Sequence, residues 1–419
     1  MREGLTFLLA NGRWLTGGLL LTFFSSFGQT FFIALSNADI RREFALTHGQ
    51  FGGVYMAATL ASALTLPLLG RSVDHYRVPI LSVGTMLVLA GACVLMGFSS
   101  SILTLVIALY LLRLFGQGMM TQIGITSTAR WFSANRGRAI SLVTIGHQFG
   151  EAAWPLTFVW IASVVGWRMG WLVAAAVLLI IALPAITGLV SKDRVPQSAD
   201  HAALSKEGRQ WTLAEVLRDP WFYGITAGVV APPFIGTTIF FHQAYMSELR
   251  GWPLSLFATG FILMSALNIV STLIAGGLID KYGSLKLLPW ALMPLTLATF
   301  TAATITEAWA VFAFMGLLGV SNGLGATLAG AMWPEIYGTM NLGSIRSVIV
   351  AAMVFGTAAG PGFTGFLIDA GVSYDHQLLA MCGWTVAGIA MLTIASNRLR
   401  RRIQRFRQES GTQIFCAWK

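Results

Sequence analysis

The chain has 419 residues, of which 55% are hydrophobic and only 11% are charged. Soluble domains carry about 25% charged residues, so this composition excludes an ordinary soluble protein and indicates one whose surface faces lipid. The net charge of +10 would also suit a nucleic-acid-binding protein, but no groove-binding element or aromatic platform accompanies it. The three cysteines have no spacing typical of a disulfide framework or a metal site.

Twelve apolar runs, each long enough to cross a bilayer as a helix, follow one another along the chain. A hydrocarbon core of about 30 Å requires roughly 20 helical residues, and backbone groups in lipid must bond within their own segment. We therefore predict an all-α integral membrane protein with twelve transmembrane helices. The predicted spans are residues 15–36, 50–70, 79–98, 103–124, 139–162, 168–190, 221–246, 255–278, 287–306, 309–331, 346–368 and 377–396.

The basic residues indicate the orientation, because loops that stay in the cytoplasm carry an excess of Lys and Arg. Of the 27 basic residues, 22 lie on the side of both termini, four lie in the opposite loops, and Arg113 lies inside a span. This distribution predicts cytoplasmic termini in a plasma membrane, namely the bacterial inner membrane. The first span follows Arg13 without a small-residue cleavage site near its end, so we expect an uncleaved helix.

A polar stretch in the middle of the chain divides the spans into six and six. It is predicted to contain one short amphipathic helix around Leu213 to Leu217. The predicted domains are a six-helix bundle at 1–190, a cytoplasmic linker at 191–219, a second six-helix bundle at 220–396 and a basic tail at 397–419.

Two loops, 206 residues apart, repeat one pattern. The first reads Gly70-Arg-Ser-Val-Asp74-His-Tyr-Arg77, and the second reads Gly276-Gly-Leu-Ile-Asp280-Lys-Tyr-Gly283. Equivalent loops in two apolar halves indicate an internal duplication, which is the usual construction of a secondary transporter. The two bundles are therefore predicted to be pseudo-symmetric.

These features resemble the major facilitator superfamily, which shares the two six-helix halves, the central linker and the Gly-x-x-x-Asp loop of each half. The sequence Arg113-Leu-Phe-Gly116-Gln117-Gly118 is similar to the second motif of that superfamily, an Arg followed by Gly-x-Gly. The sequence Arg130-Trp-Phe-x-x-x-Arg136-Gly137 is similar to the branch of monocarboxylate porters and oxalate/formate exchangers.

The resemblance implies alternating access and a role for the paired loops as gates on the inner side. The gating residues that it implies are Gly70, Asp74, Arg77, Gly276, Asp280 and Lys281.

Two ionisable residues lie at mid-depth in neighbouring predicted spans. Arg113 is about 15 Å from the outer end of span 4, and Glu151 is about 18 Å from the inner end of span 5, at about 1.5 Å per residue, so an ion pair is expected. We predict that Arg113 binds an anionic substrate. Glu151 would take up a proton when Arg113 engages the substrate instead of the Glu151 carboxylate. His147, one turn before Glu151, would relay the proton. The alternative is a fixed buried pair that only orders the two spans.

Other polar side chains inside the spans are candidates to line the substrate cavity, or else to bridge helices. Ala231-Pro232-Pro233 is expected to break span 7. The predicted substrate contacts besides Arg113 are Gln29, Gln117, His242, Asn268 and Asn322.

Together these residues predict a proton-coupled symporter for a small organic anion such as a monocarboxylate. It would act as a monomer in the lipid bilayer, without cofactor, metal or nucleic acid.

The alternative within transport is a proton-driven exporter of hydrophobic or drug-like compounds, although span 5 has Gly150-Glu151 where the efflux branch carries Gly-Pro-x-x-Gly-Gly. A sensor with a carrier-like fold is a further alternative. An enzyme is not expected, since His147 and Glu151 lack a nucleophile or metal partner, and no phosphate-binding Gly-Lys loop indicates an ATP-driven pump.

Overall fold

The computed structural model describes residues 2–70, 72–132, 136–192, 211–338 and 341–416. Helices account for nearly all of this part of the chain, and it contains no strand. The prediction of an all-α protein is therefore confirmed.

Twelve long helical elements follow one another. They are α1 (the bent pair Asn11–Gly28 and Thr30–Glu43), α2 (His48–Gly70), α3 (Val78–Gly97), α4 (Ile102–Trp131), α5 (Arg136–Val165), α6 (Trp167–Val190), α7 (Pro220–Phe241), α8 (Leu254–Tyr282), α9 (Ser284–Thr304), α10 (Ala310–Tyr337), α11 (Leu342–Asp369) and α12 (Tyr374–Cys416).

Within the described residues, ten of these helices are long and apolar enough to cross a membrane, and the bent pair α1 makes eleven if it counts as one span. The remaining element, α5, has 30 residues. It carries His147, Gln148 and Glu151 in its middle, which lowers its mean hydropathy. The twelve predicted spans thus each fall on one long helical element.

The chain divides into two compact units. The first contains α1 to α6 together with Thr237–Ser265 and Ala358–Gly371, which are the ends of α7, α8 and α11 that the charge distribution assigns to the outside. We call this side the outer end. The second unit contains the rest of α7 to α11 and all of α12. The division into six-helix bundles at the linker 191–219 stays a prediction.

Glycines bring α1 and α5 into close contact in the first unit. A Cβ atom at Gly146 would lie 2.1 Å from the Leu19 carbonyl oxygen, and one at Gly150 would lie 2.1 Å from Ser26 Oγ. Such separations leave no room for a side chain. The spacing of four between small residues therefore serves helix packing here.

The expected break in α7 at Pro232 and Pro233 is wrong, because the helix runs from Pro220 to Phe241 with both prolines inside it. An interior proline removes a backbone donor and crowds the preceding turn, but transmembrane helices tolerate it where neighbouring groups satisfy the freed carbonyls. Gly224 and Gly228 let α7 approach α12, where added Cβ atoms would lie 3.2 Å from Met391 Sδ and 3.0 Å from a Leu392 methyl carbon.

The short linker helix is confirmed at Leu213–Leu217. It begins with a capping box, in which the Thr212 hydroxyl accepts from the Glu215 amide and the Thr212 amide donates to the Glu215 carboxylate over 2.8 Å. Beside it, the Trp211 amide donates to the Tyr337 carbonyl oxygen over 3.1 Å. This hydrogen bond connects the end of the linker to α10.

A buried ion pair joins the same region to α12. The Asp219 carboxylate accepts from Arg402 Nη1 over 2.8 Å and from the Tyr337 hydroxyl over 3.2 Å. The Asp219 side chain is only 4% exposed, and the Arg402 guanidinium lies 4.7 Å from the centre of the Trp211 ring.

Replacing Asp219 by Ala is expected to destabilise the protein, because it leaves the Arg402 guanidinium without its carboxylate. Breaking one side of a buried ion pair costs about 3–5 kcal/mol, so the apparent melting temperature in detergent should fall by several degrees. Glu43→Gln is the matched control, because it breaks an exposed ion pair with Arg168 that contributes about 1 kcal/mol or less. Equal melting temperatures for the two variants would contradict this account.

Candidate substrate and proton site

The site is built where α1 breaks against a widened turn of α4. The break is a single turn at Ser25–Gly28 followed by the extended residue Gln29, and α4 has π-helical geometry over Leu112–Met120. A Cβ atom at Gly28 would lie 2.1 Å from the Leu112 carbonyl oxygen and 2.6 Å from Gly116 Cα. The two backbones therefore touch, and π-helical turns of this kind are common at functional sites.

Arg113 lies at the start of the widened turn and is 2% exposed. Its Nη1 donates to the Gly28 carbonyl oxygen over 3.2 Å and to Thr30 Oγ1 over 3.3 Å. Its guanidinium carbon is 5.4 Å from the centre of the Tyr55 ring. Its Nε has no hydrogen-bond partner, and no carboxylate pairs with this side chain among the described residues. Arg113 is thus a buried cation held only by neutral groups.

The predicted ion pair between Arg113 and Glu151 is wrong for the described structure. Arg113 turns toward α1 and α2, where its contacts are the Gly28 carbonyl, Thr30 and Tyr55. Glu151 lies on α5, which packs against the same α1 break through the contact of Gly150 with Ser26. The position of a residue along its span does not determine the direction in which its side chain points.

Glu151 is 5% exposed, and its carboxyl lies beside the hydroxyl of Ser265 on α8. Ser265 Oγ makes no hydrogen bond of good geometry within the described residues. Burying an unpaired carboxylate costs far more than burying a carboxylic acid. Glu151 is therefore suited to carry a proton at this contact between α5 and α8.

A buried aromatic cluster lies next to His147, one helical turn before Glu151. The half-buried His147, one turn before Glu151, has its ring 6.2 Å from that of Phe31. The Phe31 ring is 5.6 Å from Phe261, which is 5.1 Å from Phe240. His147 thus adjoins a buried aromatic cluster formed by α1, α7 and α8.

The other predicted contacts are distributed over both units. Gln29 is half-buried at the α1 break and Gln117 is half-buried in the widened turn, so both lie close in sequence to groups that hold Arg113. In the second unit, Asn268 is buried and its carbonyl accepts from the Thr272 hydroxyl over 2.8 Å. Asn322 is half-buried on α10, next to the close contact of α8 with Gly323. Their roles as substrate contacts stay predictions.

His242 lies in the outer end of the first unit and is 1% exposed. Its Nε2 is 3.2 Å from the Pro361 carbonyl oxygen, and its ring is 6.1 Å from that of His48. These neighbours make it part of a contact between α7, α2 and α11.

That contact includes a carboxylate that the sequence analysis missed. Asp369, the last residue of α11, accepts from the His48 amide over 3.1 Å and from the Gly49 amide over 2.7 Å, at the start of α2. A Cβ atom at Gly365 would lie 2.4 Å from the His48 carbonyl oxygen, and one at Gly52 would lie 2.7 Å from that of Pro361. We call Asp369 and these glycines the outer latch. The glycines in predicted spans 2 and 11 were the sequence feature that could have indicated this helix contact.

Two side-chain amides strengthen the same end. Asn37 Nδ2 donates to the Phe241 carbonyl oxygen over 2.7 Å, and Gln243 Nε2 donates to that of Phe31 over 3.1 Å. Both bonds join the second part of α1 to the end of α7. The first unit is therefore closed at its outer end.

The paired gating loops are described only in part, because the side chains of Asp74 and Asp280 lie outside the described residues. Arg77 and Lys281 are exposed, and Gly70 and Gly276 are half-buried. Arg130 at the end of α4 donates to the Val73 carbonyl oxygen over 2.6 Å. Glu335 near the end of α10 accepts from the Ser284 hydroxyl. Each loop region is thus hydrogen-bonded to a helix of its own half, α4 for the first and α10 for the second. These helices correspond to each other in the predicted duplication.

The sequence profile of the Major Facilitator Superfamily matches residues 18–308. The chain belongs to the Major Facilitator Superfamily. This membership confirms the resemblance to the superfamily that the sequence motifs indicated.

Two curated relatives are distant. The chain is 23% identical over 277 residues to the MFS-type transporter pynF of Aspergillus niger and 24% identical over 293 residues to the membrane sensor protein UhpC of Escherichia coli. These matches cover 65% and 58% of this chain and span only 61% and 66% of the relatives. Neither name is that of a monocarboxylate or oxalate/formate porter, so the similarity to that branch rests on the residues of one loop.

Solved structures share the fold. A bacterial homologue of the human lysosomal transporter Spinster, inward-facing and unoccupied, matches with a TM-score of 0.69 at 16% identity, over 93% of this chain and 98% of its own. The nucleoside transporter NupG matches with a TM-score of 0.68 at 13% identity, over 91% and 98%. Identities this low establish the common architecture alone.

Replacing Asp369 by Ala is expected to loosen the outer latch, since the His48 and Gly49 amides lose their acceptors. Hydrogen–deuterium exchange should become several-fold faster in peptides covering the start of α2 and the end of α11. Asp369→Asn, which keeps one acceptor oxygen but loses the charge, should give a smaller increase.

Glu307→Gln is the control, because Glu307 is an exposed carboxylate on another loop. It should leave exchange in both peptides unchanged. Wild-type exchange at the start of α2 in the Asp369→Ala variant would show that the latch contributes nothing to closure.

Proposed function

We propose that the protein is a proton-coupled transporter of a small organic anion, of which a monocarboxylate is the simplest example. The observation that carries the proposal is the buried guanidinium of Arg113, which has no carboxylate partner among the described residues. A buried charge without a counter-ion is costly, and in a membrane it usually marks a substrate pathway. A carboxylate offers the charge and the paired acceptors that a guanidinium binds best.

The proton in this proposal is carried by Glu151. Its carboxyl is buried beside Ser265, with no cation paired to it in the described structure. A neutral Glu151 would stabilise the contact of α5 with α8, whereas an ionised one would disfavour it. His147 is the proposed relay, and Gln29, Gln117, His242, Asn268 and Asn322 are the proposed further substrate contacts.

The proposed setting is a bacterial inner membrane with both termini in the cytoplasm and the protein acting as a monomer. The excess of basic residues on the side of the termini supports this orientation. The gating loops around Gly70, Asp74, Arg77 and around Gly276, Asp280, Lys281 would then lie on the cytoplasmic side, opposite to the outer latch.

Replacing Arg113 by Gln is expected to abolish anion binding. Purified protein would first be screened by thermal shift against carboxylates, sugars and cationic dyes, and a carboxylate should stabilise the wild type. That stabilisation should vanish in Arg113→Gln and be weakened in Arg113→Lys, which keeps the charge but loses the paired donors. Arg168→Gln, which removes a cation that pairs with Glu43, should retain it.

Stabilisation by cationic dyes but by no carboxylate would overturn the proposed substrate class. Retained carboxylate binding in the Arg113→Gln variant would overturn the role of Arg113.

Replacing Glu151 by Gln is expected to separate exchange from accumulation. In proteoliposomes, counterflow of the bound anion should persist, while uptake driven by a proton gradient should fall to the level without a gradient, because Gln cannot gain or lose a proton. Asp375→Asn, which changes a carboxyl at the start of α12, should leave both activities intact.

Loss of both counterflow and gradient-driven uptake, together with poor expression, would show that Glu151 is a structural residue. Anion binding without any transport would instead favour a sensor.

A second candidate function is export of hydrophobic compounds, to which the aromatic cluster of Phe31, Phe261 and Phe240 would contribute apolar contacts. Neighbouring ring centroids lie 5.6 and 5.1 Å apart, and all three side chains are buried, so a flat apolar ligand would have to displace one of the rings. The two functions differ in the ligand that the thermal-shift screen would find and in their dependence on Arg113.

A further inference from the structure

A groove of about 430 Å³ runs along the surface of the second unit between α9 and α12. It lies at the start of α9, which follows the loop of Gly276 to Gly283, and along the middle of α12. Its lining residues are Lys286, Pro289, Trp290, Met293, Ile389, Thr393, Ser396, Asn397 and Arg400.

The groove has a charged end and an apolar end. Lys286 and Arg400 are both exposed, and neither forms an ion pair within the part of the chain that the structure describes. One to two helical turns deeper lie Trp290, which is 62% exposed, and Met293, which is 40% exposed. Two unpaired cations thus lie next to open apolar surface.

The apolar end continues as a track along both helices. On α9 the exposed residues Trp290, Met293, Leu297 and Phe300 are spaced by three or four, which places them on one helix face. On α12 the exposed Val386 lies three residues before the groove-lining Ile389, on the same helix face. In a helix that crosses a bilayer, such a face contacts acyl chains.

We propose that this groove binds an anionic phospholipid. The headgroup phosphate would lie between Lys286 and Arg400, where the guanidinium donates paired hydrogen bonds and the ammonium adds a point charge. An acyl chain would follow the track of Trp290, Met293 and Leu297. Basic pockets between helices at the headgroup level select anionic over zwitterionic lipid, because each cation adds roughly fivefold to affinity.

The groove is also connected to the second gating loop. The Ser396 hydroxyl donates to the Leu285 carbonyl oxygen. Lys281 Nζ and Lys286 Nζ each lie 5.2 Å from the centre of the Tyr282 ring. A lipid bound at Lys286 therefore contacts the segment that joins α8 to α9.

The proposal is tested by native mass spectrometry of delipidated protein titrated with phosphatidylglycerol or phosphatidylcholine. Wild-type protein should retain at least about fivefold more phosphatidylglycerol. The double variant Lys286→Gln/Arg400→Gln should lose that retention by about tenfold or more, whereas phosphatidylcholine retention stays unchanged. Equal retention of the two lipids by the wild type would overturn the proposal.

The matched control is Arg398→Gln/Arg401→Gln, which removes two exposed cations of α12 outside the groove. It should keep phosphatidylglycerol within about twofold of wild type. An equal loss in both double variants would assign the effect to net charge and overturn the site.

Two further measurements use wild-type protein, so they do not depend on the folding of a variant. They also distinguish a lipid headgroup from free phosphate. A photoactivatable phosphatidylglycerol should crosslink wild-type protein within 286–297 and 389–400, and crosslinks confined to other helices would overturn the site. Inorganic phosphate at millimolar concentration should displace little lipid, since it lacks the acyl chain. Complete displacement would identify a phosphate site and refute the lipid assignment.

Discussion

The contact between α1 and α4 at Gly28 is the constraint on which the candidate site depends. A side chain at this position would occupy the space of the Leu112 carbonyl and of Gly116, so the two backbones can meet only through glycine. The contact coincides with the break in α1 and the π-helical turn of α4. Both irregularities expose backbone groups at membrane depth, which is tolerated only where protein or water satisfies them. Here the Gly28 carbonyl accepts from Arg113.

The same break explains why the two buried ionisable residues are separate. Arg113 lies on the α4 side of α1, and Glu151 lies on its α5 side, where Gly150 contacts Ser26. Each has neutral neighbours, namely Thr30 and Tyr55 for the cation and Ser265 for the carboxyl. Such an arrangement stores unfavourable desolvation energy that a ligand and a proton can relieve independently.

The sequence was sufficient for the architecture, since the number and length of the spans follow from one-dimensional patterns. Span length is set by bilayer thickness, and the short helix at Leu213–Leu217 follows from its capping residues. The direction of the Arg113 side chain could not be predicted, because it depends on a π-helical turn that has no reliable sequence signature. Likewise, the prolines of α7 indicated a break, but the helix continues through both. Asp369 was overlooked because its partners, the amides of His48 and Gly49, lie 320 residues away or more.

In the proposed function, the geometry changes how substrate and proton would be coupled. A direct ion pair would let the anion displace Glu151 from Arg113, so that coupling required only competition for one cation. Because the two residues form no ion pair and each adjoins the α1 break, coupling would pass through that helix. The second part of α1 is joined to the end of α7 by Asn37 and Gln243, and Glu151 contacts α8 at Ser265.

An anion that draws Arg113 away from Gly28 and Thr30 would release α1 at its break. A proton on Glu151 would set the stability of the neighbouring α5–α8 contact. Both events act on the closed outer end of the first unit, which makes α1 the element through which they influence each other.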